Sequence, residues 1–136
     1  MGMRPSFRTP FVLIGVLGVA GALMLGWFAY HNWASSQAQS VSAAIDLPGQ
    51  PVACNAGEDR CTTSDVDVER AADEIAESLR AQGFPDAVPS CGNEAGGTCT
   101  ITVSRWFNHA VTVIVFAHLV PGTVDFQGSD VSVIAV

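Results

Sequence analysis

Lysine is absent from the chain, and all thirteen acidic residues lie from Asp46 onward, where only Arg60, Arg70, Arg80 and Arg105 offset them. That region therefore carries a net charge of −9. Nucleic-acid binding needs a basic footprint to displace counterions from phosphates, so that class of partner is excluded. Charge is also missing from residues 11–30, FVLIGVLGVAGALMLGWFAY. At ~1.5 Å rise per residue, a helix of that length reaches across a ~30 Å hydrocarbon core, and the stretch reads as a transmembrane helix.

Further absences narrow the chemistry. The cysteines are not spaced as in zinc knuckles, and none follows the apolar run closely enough to carry a lipid anchor. No serine sits in a G-x-S-x-G context, and the glycines of GNEAGG lack the strand-to-helix setting of a phosphate loop. The only histidines, His31, His109 and His118, are dispersed, with no facing carboxylate expected. Asp73 and Glu77 share a helix face, but that face is charged throughout and reads as solvated. Neither enzymatic activity nor a metal or cofactor is expected.

What is present has a direction. Arg4 and Arg8 precede the apolar helix, and no basic residue follows it before Arg60. The positive-inside rule then makes residues 1–10 a cytoplasmic N-terminus and 51–136 an extracytoplasmic domain in a single-pass protein of the cell membrane. Residues 31–50 form a helical extension (SSQAQSVSAA) and a linker ending at Pro48-Gly49. Trp27, Tyr30 and Trp33 stand where amphipathic rings favour the headgroup layer. The alternative is a cleaved secretory signal with Ser36-Gln37-Ala38 as its small-x-small site, releasing a secreted domain that begins near Gln39. Gly18, Ala22 and Gly26 recur every fourth residue, a small-residue ridge suited to homo- or hetero-oligomeric helix association in the bilayer.

Within the domain, residues 64–82 predict a helix, with Val68, Ala72, Ile75 and Leu79 on one stripe and acids and arginines opposite. Ser64 and Asp67 give a cap-like start. Gly83 suits the left-handed position beyond the helix, Phe84 can fold back on Leu79, and Pro85 prevents continuation. Three strands follow at 98–105, 110–120 and 130–136, the second apolar enough to be covered on both faces. Asn108-His109 is the expected turn between the first two, and Pro121-Gly122 and Gln127-Gly128 bound the next loop. The fold class is α+β: an N-terminal transmembrane helix, then one helix packed on a three-stranded antiparallel meander.

Cys54, Cys61, Cys91 and Cys99 all fall in the expected exterior, where thiols oxidise. Of three connectivities, Cys54–Cys61 with Cys91–Cys99 is favoured, because each pair closes a short polar loop. Such loops contribute ~2–3 kcal/mol each by chain entropy, which matters in a small core. Trp106-Phe107, at a strand end, is read either as an exposed partner surface or as a cover for the core's open end.

SQAQSVSAA after the membrane span, ERAADEIAESL, and the terminal VTVIVFAHLVPGTVDFQGSDVSVIAV together resemble the TadE-like pilus-assembly proteins, minor pseudopilins of the Tad secretion system. The resemblance covers most of the chain and rests on element order and the "PG" loop. It implies a structural or assembly role at the envelope, with the membrane helix among pilin helices; it transfers no functional residues. The function expected is thus non-enzymatic: interaction or assembly with the lipid bilayer and other envelope proteins, the alternative being a membrane-tethered small ligand-binding module.

Overall fold

A computed structural model describes residues 8–93 and 97–136. Residues 1–7 of the expected cytoplasmic segment, Arg4 among them, and residues 94–96 of the GNEAGG loop lie outside the described residues. The chain divides into two compact units, one up to Trp33 and one from Ala34 onward.

The first unit is the apolar part of helix α1 (Arg8–Ala44). From Phe11 this helix is long and apolar enough to cross a membrane, with none of its most apolar window buried. Rings gather in the last turns of the unit, with Trp27 and His31 centroids 4.3 Å apart and those of Tyr30 and Trp33 6.1 Å apart.

The second unit takes the rest of α1 as part of its own structure. Ala34, Ala38 and Ser42, on one stripe at every fourth residue, are buried, as is Ile45 just beyond the helix. The expected linker is therefore helical to Ala44, and the compact unit begins well before residue 51. The last turn of α1 contains no basic residue, leaving its terminal carbonyls without the usual compensation. Arg60 supplies it from a distance: its Nη1 donates to the carbonyls of Ser42 (2.6 Å), Ile45 (2.9 Å) and Ala43 (3.3 Å).

Helix α2 (Val68–Ala81) buries Val68, Ala71, Ala72, Ile75, Ala76 and Leu79. It starts at Asp67, which takes extended backbone but makes no side-chain cap. Ser64, expected at the cap, is instead the last residue of a strand, where its hydroxyl meets that of Ser129 at 3.1 Å. The C-terminus is as the residues suggest. Gly83 has φ +94°, its N–H donates to Arg80 O, and Phe84 N–H donates to Leu79 O. These two bonds are the Schellman pattern, and Phe84 is buried where the chain turns back.

Among the described residues the sheet has six antiparallel strands rather than three. β1 (Gln50–Pro51), β2 (Arg60–Ser64), β3 (Ser90–Cys91), β4 (Thr98–Trp106), β5 (His109–Leu119) and β6 (Phe126–Ala135) are ordered β1-β2-β6-β5-β4-β3. The expected meander is β4-β5-β6; β2 and β1 extend it beyond β6, and β3 beyond β4. β1 and β3 are two residues long and β2 is polar and closes on β6 far along the chain, so no local alternation announces any of the three. Both edge strands are two residues long, and proline sits at each: Pro51 within β1 and Pro89 just before β3. A residue without an N–H ends a ladder, which is how sheet edges are closed to further strands.

Alternation divides the sheet into two faces. Ile101, Val103, Val111, Val113, Val115, Val131 and Val133 are buried on the face that receives α2. On the other face Thr112 and Ile114 are half-buried and Phe116 exposed, so β5 is not covered on both sides as expected. Its continuous β-branched run hides a one-sided strand because Ile114 and Phe116 break the polar alternation. The β4–β5 turn is Phe107-Asn108, one residue earlier than expected, with Asn108 at φ +59°. Asparagine accepts that left-handed region, which sets the turn. Gln127-Gly128 lies inside β6, where the β5–β6 register shifts between Ala117 and Leu119. Gly128 has φ +77°, and a Cβ there would collide with the backbone oxygen of Ser64, so only glycine fits.

Candidate functional site

The cysteines pair as Cys54–Cys61 and Cys91–Cys99. Cys91 and Cys99 stand directly opposite each other in β3 and β4, so that bridge staples an edge strand. Cys61 lies in β2, and Cys54 in the irregular segment before it. Strand register places Cys61, Ser132, Ile114 and Thr100 in one row on the open face, with Thr63, Asp130 and Phe116 in the next.

There the Cys54–Cys61 loop and the sheet enclose a hollow of about 400 Å³, with Val52, Glu58, Phe116, His118, Asp130 and Ser132 in its lining. His118 Nδ1 lies 2.9 and 3.0 Å from the two Asp130 carboxylate oxygens. A facing carboxylate was not expected from the sequence. It arises because Phe116 pairs with Asp130, so His118, two residues on, falls diagonally to that carboxylate on the same face. His118 and Asp130 thus form a carboxylate–imidazole pair at the edge of the hollow.

Glu58 holds one carboxylate oxygen 2.9 Å from Cys61 Sγ, and the same oxygen accepts from the Asn55 N–H at 3.3 Å. Since Cys61 is in a disulfide, its sulfur has no proton to give, and this is a close contact without a hydrogen bond. Cys54, Glu58 and Cys61 bring three ligand-type atoms within 4.8 Å of one another. Both sulfurs are joined to each other, so the thiolates that a soft metal needs are not formed in this state.

The other residues singled out in the sequence divide. Trp106 is buried, with its ring 6.1 Å from that of Phe84, and covers the core's end; Phe107 is exposed in the turn. The two do not form a joint surface. Gly18, Ala22 and Gly26 remain exposed along α1, with open space where Cβ atoms would stand on the two glycines.

A further apolar surface was not foreseen: Leu119, Val124 and Phe126, at the tip of the β5–β6 hairpin, are exposed, Val124 by 89%. This tip is built, not loose. Val120 N–H donates to Asp125 O, the Thr123 N–H and hydroxyl both donate to Val120 O, and Asp125 N–H donates to Thr123 Oγ1. The Pro121-Gly122 turn marks the place in the sequence, but which side chains point outward depends on the bulge.

The class these features define is a disulfide-bonded α+β domain that incorporates the end of a long apolar helix. No family model, curated protein or solved structure matches this chain.

Proposed function

We propose that this chain is a single-pass membrane protein whose N-terminus is cytoplasmic and whose disulfide-bonded domain, outside the cytoplasm, binds other envelope proteins in a non-enzymatic assembly role. The observation that carries the anchored part is the continuity of α1. The helix runs unbroken from its exposed apolar stretch into the buried stripe Ala34, Ala38, Ser42. Signal cleavage after Ala38 would cut inside a regular helix and remove two wholly buried residues from the second unit. Retention of the helix keeps that packing intact. The arginines before the apolar stretch and the two disulfides support the orientation.

The hydrogen-bonded tip that displays Val124 supports the interaction role, since an ordered exposed apolar patch is a usual protein contact. The succession of helical extension, second helix and β4-β5-β6 around the Pro121-Gly122 loop supports a pseudopilin-like form of that role. A photo-crosslinking residue at Val124 in the membrane-embedded protein tests it. Adducts with a discrete second envelope protein or a second copy are expected. Recovery of monomer alone, or of lipid adducts only, refutes the assembly role, and a mature N-terminus at Gln39 refutes the anchor.

A further inference from the structure

We propose that Cys54–Cys61 is an exchangeable disulfide, opened and reclosed by thiols, while Cys91–Cys99 is the permanent staple. The two bridges differ in what holds their sulfurs. Cys91 and Cys99 are partners in a strand ladder that continues through Gly92 N–H to Thr98 O. After reduction that ladder keeps the thiols face to face, and a high effective concentration recloses the bond. Each bridge joins an exposed cysteine (Cys54, Cys91) to a buried one (Cys61, Cys99), but Cys54 lies in an irregular segment whose last bond to β2, Val52 N–H to Cys61 O, falls two residues before it, so no ladder aligns its sulfur.

The decisive group is Glu58. Its carboxylate, fixed by the Asn55 N–H, already stands 2.9 Å from Cys61 Sγ. In the disulfide this contact gains nothing, because the sulfur carries no hydrogen. In the dithiol, Cys61 S–H donates to the carboxylate, a charge-assisted bond that only the reduced state can make. Glu58 therefore shifts the equilibrium toward the dithiol and makes this bridge the more easily reduced of the two.

The exchange balances without any group the protein lacks. A thiolate RS⁻ attacks Cys54 Sγ, the S–S bond breaks, and its electron pair goes to Cys61 sulfur, which takes the proton that RSH released. A second thiol attacks the mixed disulfide at its own sulfur, frees RSSR, and leaves Cys54 protonated. Two thiols are oxidised and one disulfide reduced; the reverse closes the loop. Opening releases the segment that walls the hollow over Phe116 and His118, so thiol state would control access to that face.

The test uses the full chain in detergent micelles, equilibrated over a series of reduced-to-oxidised glutathione ratios, quenched with N-ethylmaleimide and mapped by mass. Cys91–Cys99 in the same molecule is the internal reference. Cys54–Cys61 is expected to open under conditions at least tenfold more oxidising, about 30 mV. Glu58→Ala should move its midpoint about tenfold toward more reducing conditions, leaving Cys91–Cys99 in place, with Glu58→Gln between the two. Should both midpoints move together in Glu58→Ala, Glu58→Gln alone decides. A parallel arm with a protein dithiol reductant separates the sources: opening by glutathione alone assigns small thiols, opening by the protein assigns an oxidoreductase. Coincident midpoints, a Glu58→Gln midpoint equal to that of the unaltered protein, or opening by neither reductant overturns the proposal.

Discussion

Replacing Arg60 by alanine removes the only described side chain that compensates the C-terminus of α1, and the cost can be worked from the contacts. One nitrogen, Nη1, meets three carbonyl oxygens at 2.6, 2.9 and 3.3 Å. It carries two hydrogens, so the count is two good bonds and one shared contact. A hydrogen bond to a charged group contributes ~1.5–3 kcal/mol when buried. The Arg60 residue is half-buried and its contact with the Ala43 carbonyl is exposed, so each bond is discounted to about 1 kcal/mol. Adding the lost charge at the negative end of the helix, ~0.3–1 kcal/mol, gives a total of roughly 2–3 kcal/mol. For a domain of this size that lowers Tm by roughly 8–20 °C. Arg60→Lys keeps the charge but not the fork, and should recover about half. Near-UV circular dichroism against temperature in micelles measures the loss. Hydrogen exchange then locates it: amides of residues 41–46 should lose protection before those of β5 and β6. A Tm within 2 °C of the unaltered protein, or protection lost first in the sheet, would refute the assignment of Arg60 as the cap.

Three further outcomes follow from the packing. Gly128→Ala puts a Cβ against Ser64 O at a positive φ and should destabilise by about 2–4 kcal/mol, measured by urea denaturation. Ala38→Leu overpacks a site with no exposed surface and should cost about 1–3 kcal/mol; no effect would mean that residues 34–44 are not part of the folded unit. Asp130→Asn alters a half-exposed His118–Asp130 contact (side chains 38% and 26% exposed), so its cost should stay below about 1 kcal/mol by the same assay, a larger loss indicating a structural role for His118.

The local physics was legible in the residues and the long-range pairing was not. α2 is encoded by its own stripe and by Gly83-Phe84, so its body and C-terminal turn could be read directly, though it begins at Val68 and not at the Ser64 start expected. The meander likewise follows from alternation in β4 and from the apolar run of β5. The two cysteine loops carried their own evidence, because each pair is close in sequence. By contrast β2 is RCTTS, which has no apolar periodicity of its own and becomes a strand only because β6 offers it a ladder. The same holds for the site. His118 and Asp130 are twelve positions apart across a loop and a bulge, and their meeting depends on a register that the Pro121-Gly122 turn does not determine. Glu58 lay in plain view inside CNAGEDRC, yet its aim at Cys61 is a matter of loop geometry. Trp106 and Phe107 show the limit most simply: adjacent aromatics at a strand end must point to opposite sides, and sequence alone could not say which was in.

In the proposed membrane-anchored form, the short proline-bearing strands at the two ends of the sheet bear on what happens when many copies share one bilayer. Tethered domains collide in two dimensions at local concentrations far above those in solution. Under such crowding, an open strand edge would let neighbouring domains zip together without selectivity. With Pro51 and Pro89 closing those edges, encounters leave copies separate unless side chains match, so density on the membrane need not become aggregation.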